Sequence, residues 1–158
     1  MRLVVGIAEM QITNRPEDLL VTHALGSCIG ITIHDPVAGV GAILHYMLPL
    51  SSLDMVKAAK NPYMFGDSGI PALFQQAYMA GATKANLRVC MAGGASVIQD
   101  TQNFDIGARN IVIARKLFWK NAVLISAEHV GGTAPRTLYL DMTNGSSWFT
   151  SGRDRVEL

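Results

Sequence analysis

The run from Ile29 to Met47 constrains the fold more than any other part of the chain. Ile29, Ile31 and Ile33 alternate with Gly30, Thr32 and His34, Asp35-Pro36-Val37-Ala38-Gly39 supplies turn chemistry, and Val40 to Met47 resumes an extended apolar pattern. Period-two alternation on both sides of a Pro/Gly turn is a β-hairpin pattern. With Asp35 to Ala38 as the loop, His34 pairs with Gly39, and the same register sets Cys28 opposite His45. Directly opposed residues share a face, with Cβ atoms ~4.5–5.5 Å apart, and a one-residue slip of one strand sends the two side chains to opposite faces.

A thiol beside an imidazole is the smallest activated-nucleophile pair, because the base takes the proton and the resulting imidazolium favours the thiolate. A free cysteine also serves as a small buried hydrophobe, and Cys90, inside the apolar run Leu87-Arg88-Val89-Cys90-Met91-Ala92, reads that way. Cys28 follows Gly26-Ser27, a turn that can present a side chain at the end of a sheet.

The 158 residues suit one domain, 1–158, with a core large enough to need neither disulfides nor a metal; no linker or low-complexity tract divides it. A formal charge of +1 without a Lys/Arg cluster argues against a nucleic-acid surface and leaves proteins as the expected partners. Met1 to Glu9 lacks the apolar core and cleavage site of a signal peptide, and no stretch approaches the ~20 apolar residues that span a bilayer. Two cysteines without an export signal imply a reducing, cytoplasmic setting, so a Cys28–Cys90 disulfide is not expected.

Along the chain, Leu3 to Met10 reads as a strand, Arg15 to Asp18 as a loop, and Pro49 to Pro62 as a short helical turn or an ordered loop over the site. Asp67 or Ser68 can cap a helix with Pro71 in its first turn; Leu73, Phe74, Ala77, Tyr78 and Met79 form its apolar side and Gly81 ends it. Leu87 to Ala92 reads as a strand, Gly107 to Asn121 as a second helix with Ile111, Ala114, Arg115 and Phe118 in line, and Ala122 to Ala127 as another strand. Thr137 to Asp141 and Ser146 to Thr150 flank the turn Thr143-Asn144-Gly145. Strands at both ends with two helices between them favour an α+β domain over a doubly wound parallel sheet.

His23, His34, His45 and His129 share no metal-type spacing, so no metal is expected; His23 and His34 read as hairpin-mouth or solvent residues and His129 as a strand-terminal surface residue. Gly93-Gly94 and Gly131-Gly132 do not open a helix in a phosphate-binding pattern. Paired glycines after strands serve either simple turn formation or a close backbone approach that lets a substrate side chain reach Cys28.

Thr22, then Leu25-Gly26-Ser27-Cys28, the hairpin, and His45 followed by Met47-Leu48-Pro49 resemble the signature of the CheD family of chemoreceptor glutamine deamidases. The resemblance continues through Gly81-Ala82, Gly93-Gly94-Ala95, Ile106-Gly107 with Arg109-Asn110, and Gly131-Gly132 with Arg136, covering nearly the whole chain. Two departures stand out. Pro135 replaces the usual glycine before the arginine, and Arg88 to Ala92 is a loose version of the family's lysine-rich, aromatic approach to Gly-Gly-Ala.

The resemblance implies packed mixed or antiparallel sheets flanked by helices, as in other cysteine hydrolases of this shape. It implies Cys28 as nucleophile, His45 as base and Thr22 as the third catalytic position. Thr22 taken alone reads as an ordinary loop hydroxyl; in the family's role it either orients the imidazole or holds the substrate amide. The Ser27 N–H or hydroxyl, with the Cys28 N–H, can face a developing oxyanion. The implied activity is deamidation of glutamines on the cytoplasmic helices of methyl-accepting chemotaxis receptors, without a cofactor, with some hydrolysis of receptor glutamyl methyl esters. The implied partners are those receptors and the phosphatase CheC where the organism has one. Two other readings fit the same residues: a transglutaminase-like acyl transferase, and a binding module with little turnover.

Overall fold

Leu3 to Met10 does not run as one strand. In the computed structural model, which describes residues 1–96 and 105–158, the chain forms β1 (Arg2–Val4) and then β2 (Glu9–Thr13) in a different sheet. Val5 still donates to the Val21 carbonyl at 2.8 Å, whereas Glu9 already pairs with His45. The crossing turns at Ala8, held at φ +60°, with Asn61 Nδ2 donating to its carbonyl at 2.9 Å. Periodicity carries no mark of an apolar run shared between two sheets.

β3 (Leu19–Leu25) was not expected, and it places Thr22 in a strand instead of a loop. Its pairing slips between Thr22 and Leu25 around Ala24 at φ +60°, a bulge that turns the chain toward Gly26. β4 (Ile29–Asp35) and β5 (Val40–Tyr46) form the predicted hairpin, and all seven residues of β5 are buried. Between Pro49 and Pro62 a short helix, α1 (Met55–Lys60), follows a 3-10 turn at Ser51–Leu53.

α2 (Gly66–Met79) begins earlier than expected, with Phe65 at its N-cap and no side-chain cap, so Pro71 lies in the second turn. Asp67 instead accepts from Ser51 N–H at 2.8 Å and Ser51 Oγ at 2.9 Å, fastening the preceding loop. Ile70, Leu73, Phe74 and Ala77 form the buried side; Tyr78 and Met79 are exposed. β6 (Arg88–Gly93) and α3 (Ile106–Lys120) match the sequence pattern, except that Arg115 points outward to pair with Glu128. β7 (Ala127–Val130) starts where Ala122 to Ala127 was expected to end: Ala122 sits at φ +54° and Leu124 is exposed. β8 (Arg136–Asp141) and β9 (Ser146–Ser151) form the second predicted hairpin, and β10 (Asp154–Glu157) extends it along an exposed edge.

The strands make two five-stranded sheets, ordered β1-β3-β8-β9-β10 and β2-β5-β4-β6-β7. Both are mixed, since β1–β3 and β6–β7 are parallel and the other pairs antiparallel. The second sheet is covered on both faces. Ile31, Leu44, Tyr46 and Met91 pack under Leu73, Phe74, Ile111 and Phe118 of α2 and α3. Leu25, Ala92, Leu138 and Phe149 form one cluster between the sheets, and Leu20, Ile43 and Leu140 form another. Each fully buried Leu or Ile contributes about 1.5–3 kcal/mol by leaving water, and burial on both faces is why β5 reads as a nearly continuous apolar run. The architecture is α+β, a helix layer on a sheet packed on a second sheet.

Candidate active site

In the hairpin Asp35 pairs with Val40, so the loop is Pro36 to Gly39, one residue later than the sequence suggested. Asp35 both closes the ladder and starts the turn, its Oδ1 accepting from Val37 N–H at 2.8 Å and Ala38 N–H at 2.9 Å. His45 therefore lies opposite Gly30, two residues beyond Cys28, instead of opposite Cys28 itself. Because both strands shift together, the ladder moves by two and the faces are kept. Cys28 and His45 become diagonal neighbours, a relation that spans ~7–8 Å between backbones and lies within reach of long side chains.

Packing identifies that face. Leu44 and Tyr46 point to the helices, leaving Ile43 and His45 on the side of the first sheet. Cys28, half-buried, packs against the inter-sheet cluster of Leu25, Ala92, Leu138 and Phe149. Thr22 enters from the opposite sheet. Its Oγ1 lies 2.7 Å from His45 Nδ1 and donates to the Val5 carbonyl at 2.7 Å. A hydroxyl has one proton, and a carbonyl can only accept, so Thr22 must accept from His45 Nδ1–H. The imidazole is thereby fixed as the tautomer whose Nε2 carries the lone pair. That nitrogen is buried and without a hydrogen-bond partner among the described residues.

Burial, opposed by the Glu9 carboxylate, lowers the His45 pKa to about 4, and burial pushes the Cys28 thiol up, partly offset by its own backbone N–H. At neutral pH the resting pair is thus thiol and neutral imidazole, not the standing thiolate–imidazolium pair that adjacency alone suggests. Such a site can form its nucleophile as the proton moves to Nε2 during attack.

The turn that carries Cys28 is tied down through three successive carbonyls. Gly26 O accepts from Ala95 N–H at 2.8 Å, Ser27 O from Asn110 Nδ2 at 2.9 Å, and Cys28 O from Gly94 N–H at 2.9 Å. Ser27 is half-buried beside Cys28, and the Cys28 N–H lies against its own sulfur, where an oxyanion donor is useful. Gly93 and Gly94 have φ +116° and +66°, and a Cβ on Gly93 would overlap the Cys28 carbonyl oxygen. Close approach, and not turn formation alone, explains this pair. Around Gly131 nothing lies within 4 Å of where a Cβ would be, so that glycine serves the turn.

Asn110 lies in one of the blocks that carry the family resemblance, but the sequence reading gives it no role. Fully buried on α3, it spans both halves of the site: Nδ2 also donates to Met47 O at 2.8 Å, and its main-chain carbonyl accepts from the Tyr46 hydroxyl at 2.6 Å. The signal was its place on the buried stripe with Gly107, Ile111, Ala114 and Phe118, where an amide needs a reason to be. Arg136 is the other buried clamp, donating to Gly93 O at 3.1 Å, Gly131 O at 2.6 Å and His129 Nδ1 at 3.0 Å. Pro135 leaves that arginine in place.

The remaining candidates lie elsewhere. His23 is exposed, His34 lies beside Gly145 at the hairpin ends, and His129 stacks on Phe149 at 4.3 Å. Cys90 is buried in β6, with Arg88 Nη1 donating to its sulfur at 2.9 Å. Among the described residues no three His, Cys, Asp or Glu side chains are grouped to hold a metal, and no helix is long and apolar enough to cross a membrane.

Residues 47–151 match the family described as CheD chemotactic sensory transduction. A probable chemoreceptor glutamine deamidase CheD 1 of Syntrophus aciditrophicus is 49% identical over 94% of this chain and 93% of its own length. A probable chemoreceptor glutamine deamidase CheD of Solibacter usitatus is 44% identical over 99% of this chain and 93% of its own, which extends the match across Thr22, Cys28 and His45. Among solved structures, the hypothetical protein YfiH of Bacillus licheniformis aligns at a TM-score of 0.46 and 14% identity, covering 75% of this chain and 49% of that one. By the family match and the two deamidase relatives, the chain belongs to the CheD family.

Proposed function

We propose that this protein deamidates glutamine side chains of chemoreceptors, with Cys28 as nucleophile, His45 as general base and acid, and Thr22 as the residue that orients His45. One observation carries the reading: a buried imidazole, held by Thr22 through Nδ1, keeps Nε2 open on the face that carries Cys28. The names of the relatives supply the substrate class.

The Cys28 proton passes to His45 Nε2 as sulfur attacks the carboxamide carbon. The oxyanion forms beside the Cys28 N–H, with Ser27 as the supporting residue. Collapse breaks the C–N bond, and the imidazolium gives its proton to the departing ammonia. Water then gives a proton to Nε2 and attacks the γ-glutamyl thioester, and the returning proton restores the Cys28 thiol and releases glutamate. Atoms balance with water alone, so these steps need no cofactor. A glutamyl methyl ester reaches the same thioester by losing methanol. Residues 1–158 act here as one cytoplasmic domain. The cytoplasmic setting rests on the two free cysteines without an export signal, and a complex with the phosphatase CheC rests on the family resemblance.

The test is mass spectrometry of a receptor cytoplasmic domain incubated with the protein. Deamidation adds about one dalton per glutamine as amide becomes acid. Cys28→Ala and His45→Ala should each abolish the gain, since members of a nucleophile–base pair act as a unit. Ammonia release by Cys28→Ala at the wild-type rate removes Cys28 from the mechanism, and amide formation with added amines would indicate an acyl transferase.

A further inference from the structure

One row of paired residues crosses the second sheet on the face that carries the site: Glu9, His45, Gly30, Ala92 and His129. Glu9 stands directly opposite His45, a pairing that brings Cβ atoms to ~4.5–5.5 Å on a shared face. Its carboxylate is fixed: Gly6 N–H donates to Oε2 at 2.8 Å, and a Cβ on Gly6 would meet the carboxylate carbon at 2.9 Å. The groups around His45 are Thr22 from β3, Gly30 and then Cys28 from β4, and Glu9 from β2, while α2 packs on the strand's other face. Glu9 is the charged group whose field reaches the imidazole, where it opposes burial.

We infer that Glu9 is a positioning residue whose fixed carboxylate stabilises the His45 imidazolium formed as Cys28 gives up its proton. This rests on the Cys28–His45 reading above. Proton transfer creates a negative sulfur and a positive ring together. Glu9 lies one strand from His45, but two strands and a further ladder step from Cys28. Attraction to the ring therefore exceeds repulsion of the sulfur. The carboxylate is exposed, so water and salt reduce the net effect to a modest factor.

The experiment measures the rate at which iodoacetamide, a neutral reagent, alkylates Cys28, with peptide mapping to separate Cys28 from Cys90, across pH for the wild type, Glu9→Gln, Glu9→Asp and His45→Ala. Glu9→Gln keeps an acceptor for Gly6 N–H and removes only the charge. It should slow Cys28 alkylation about three- to tenfold near neutral pH, with Glu9→Asp in between and the gap narrowing at high salt. A wild-type rate profile for Glu9→Gln overturns the inference, as does an equal fall in both Glu9 variants, which would mark a role in the Gly6 turn and not of charge. If Glu9→Gln is silent while His45→Ala slows alkylation, the inference alone fails. If His45→Ala leaves the rate unchanged, the catalytic pair fails with it.

Discussion

Thr22 gives its one hydroxyl proton to Val5 and so receives the Nδ1 proton of His45, both across 2.7 Å. This relation converts a hydroxyl into a selector of imidazole tautomer. Thr22→Val keeps the shape and removes the acceptor, leaving Nδ1–H buried without a partner and the ring free to carry its proton on Nε2, where it cannot serve as base. The expected loss in kcat is about 10- to 100-fold, with Thr22→Ser within a few-fold of wild type. Ammonia-release kinetics of the two variants decide it; equal activities would leave Thr22 without an orienting role.

Asn110 joins the turn before Cys28 to the end of β5 through a single amide nitrogen. Asn110→Ala leaves two carbonyls unpaired in a buried setting and should destabilise the fold by about 2–4 kcal/mol. Asn110→Asp keeps the volume but turns an oxygen toward those carbonyls, and should cost at least as much. Urea unfolding measures the first effect, and the Cys28 alkylation rate under folding conditions measures the displaced turn. An Asn110→Ala protein with wild-type stability and thiol reactivity would show that the clamp is redundant.

The hairpin, the second helix and the Cys28/His45 pairing face were legible because alternation and turn chemistry are local properties. The ladder offset was not, since Asp35 is a good turn residue whether it closes the last pair or opens the loop, and only its bonds to Val37 and Ala38 decide. β3 was hidden because Leu19 to Leu25 does not alternate, being buried on both faces as far as Thr22. The Thr22–His45 bond joins different sheets, and Glu9 reaches the site only because the chain changes sheet at Ala8. Such relations depend on sheet order, which residue spacing does not encode.

Acid should weaken the fold through His45. Its folded pKa of about 4 lies below the ordinary 6.5, so between those values the unfolded chain binds the extra proton and the folded one refuses it. Stability is full above about 6.5 and falls as pH drops toward 4, by up to about 3 kcal/mol from this group. Asp18 and Asp35, whose pKa values are also lowered, add losses at lower pH. Unfolding free energy measured from pH 7 to 4 should therefore decline less steeply in His45→Gln than in wild type. Parallel curves would mean that His45 is not held neutral.

The two glycine pairs should respond differently to a methyl group. At Gly93, φ +116° already disfavours an L side chain, and the added Cβ falls on the Cys28 carbonyl oxygen, so the strand, the turn or both must move. Gly93→Ala should cost about 2–4 kcal/mol, and a displacement of even part of an ångström at the nucleophile should lower kcat by at least about tenfold. At Gly131, φ +83° is strained for alanine but space is open, so Gly131→Ala should cost only about 1 kcal/mol and leave kcat near wild type. Thermal melts paired with ammonia-release rates separate the two. Equal losses of activity at both positions would sever Gly93 from the placement of Cys28 and return both pairs to the status of turns.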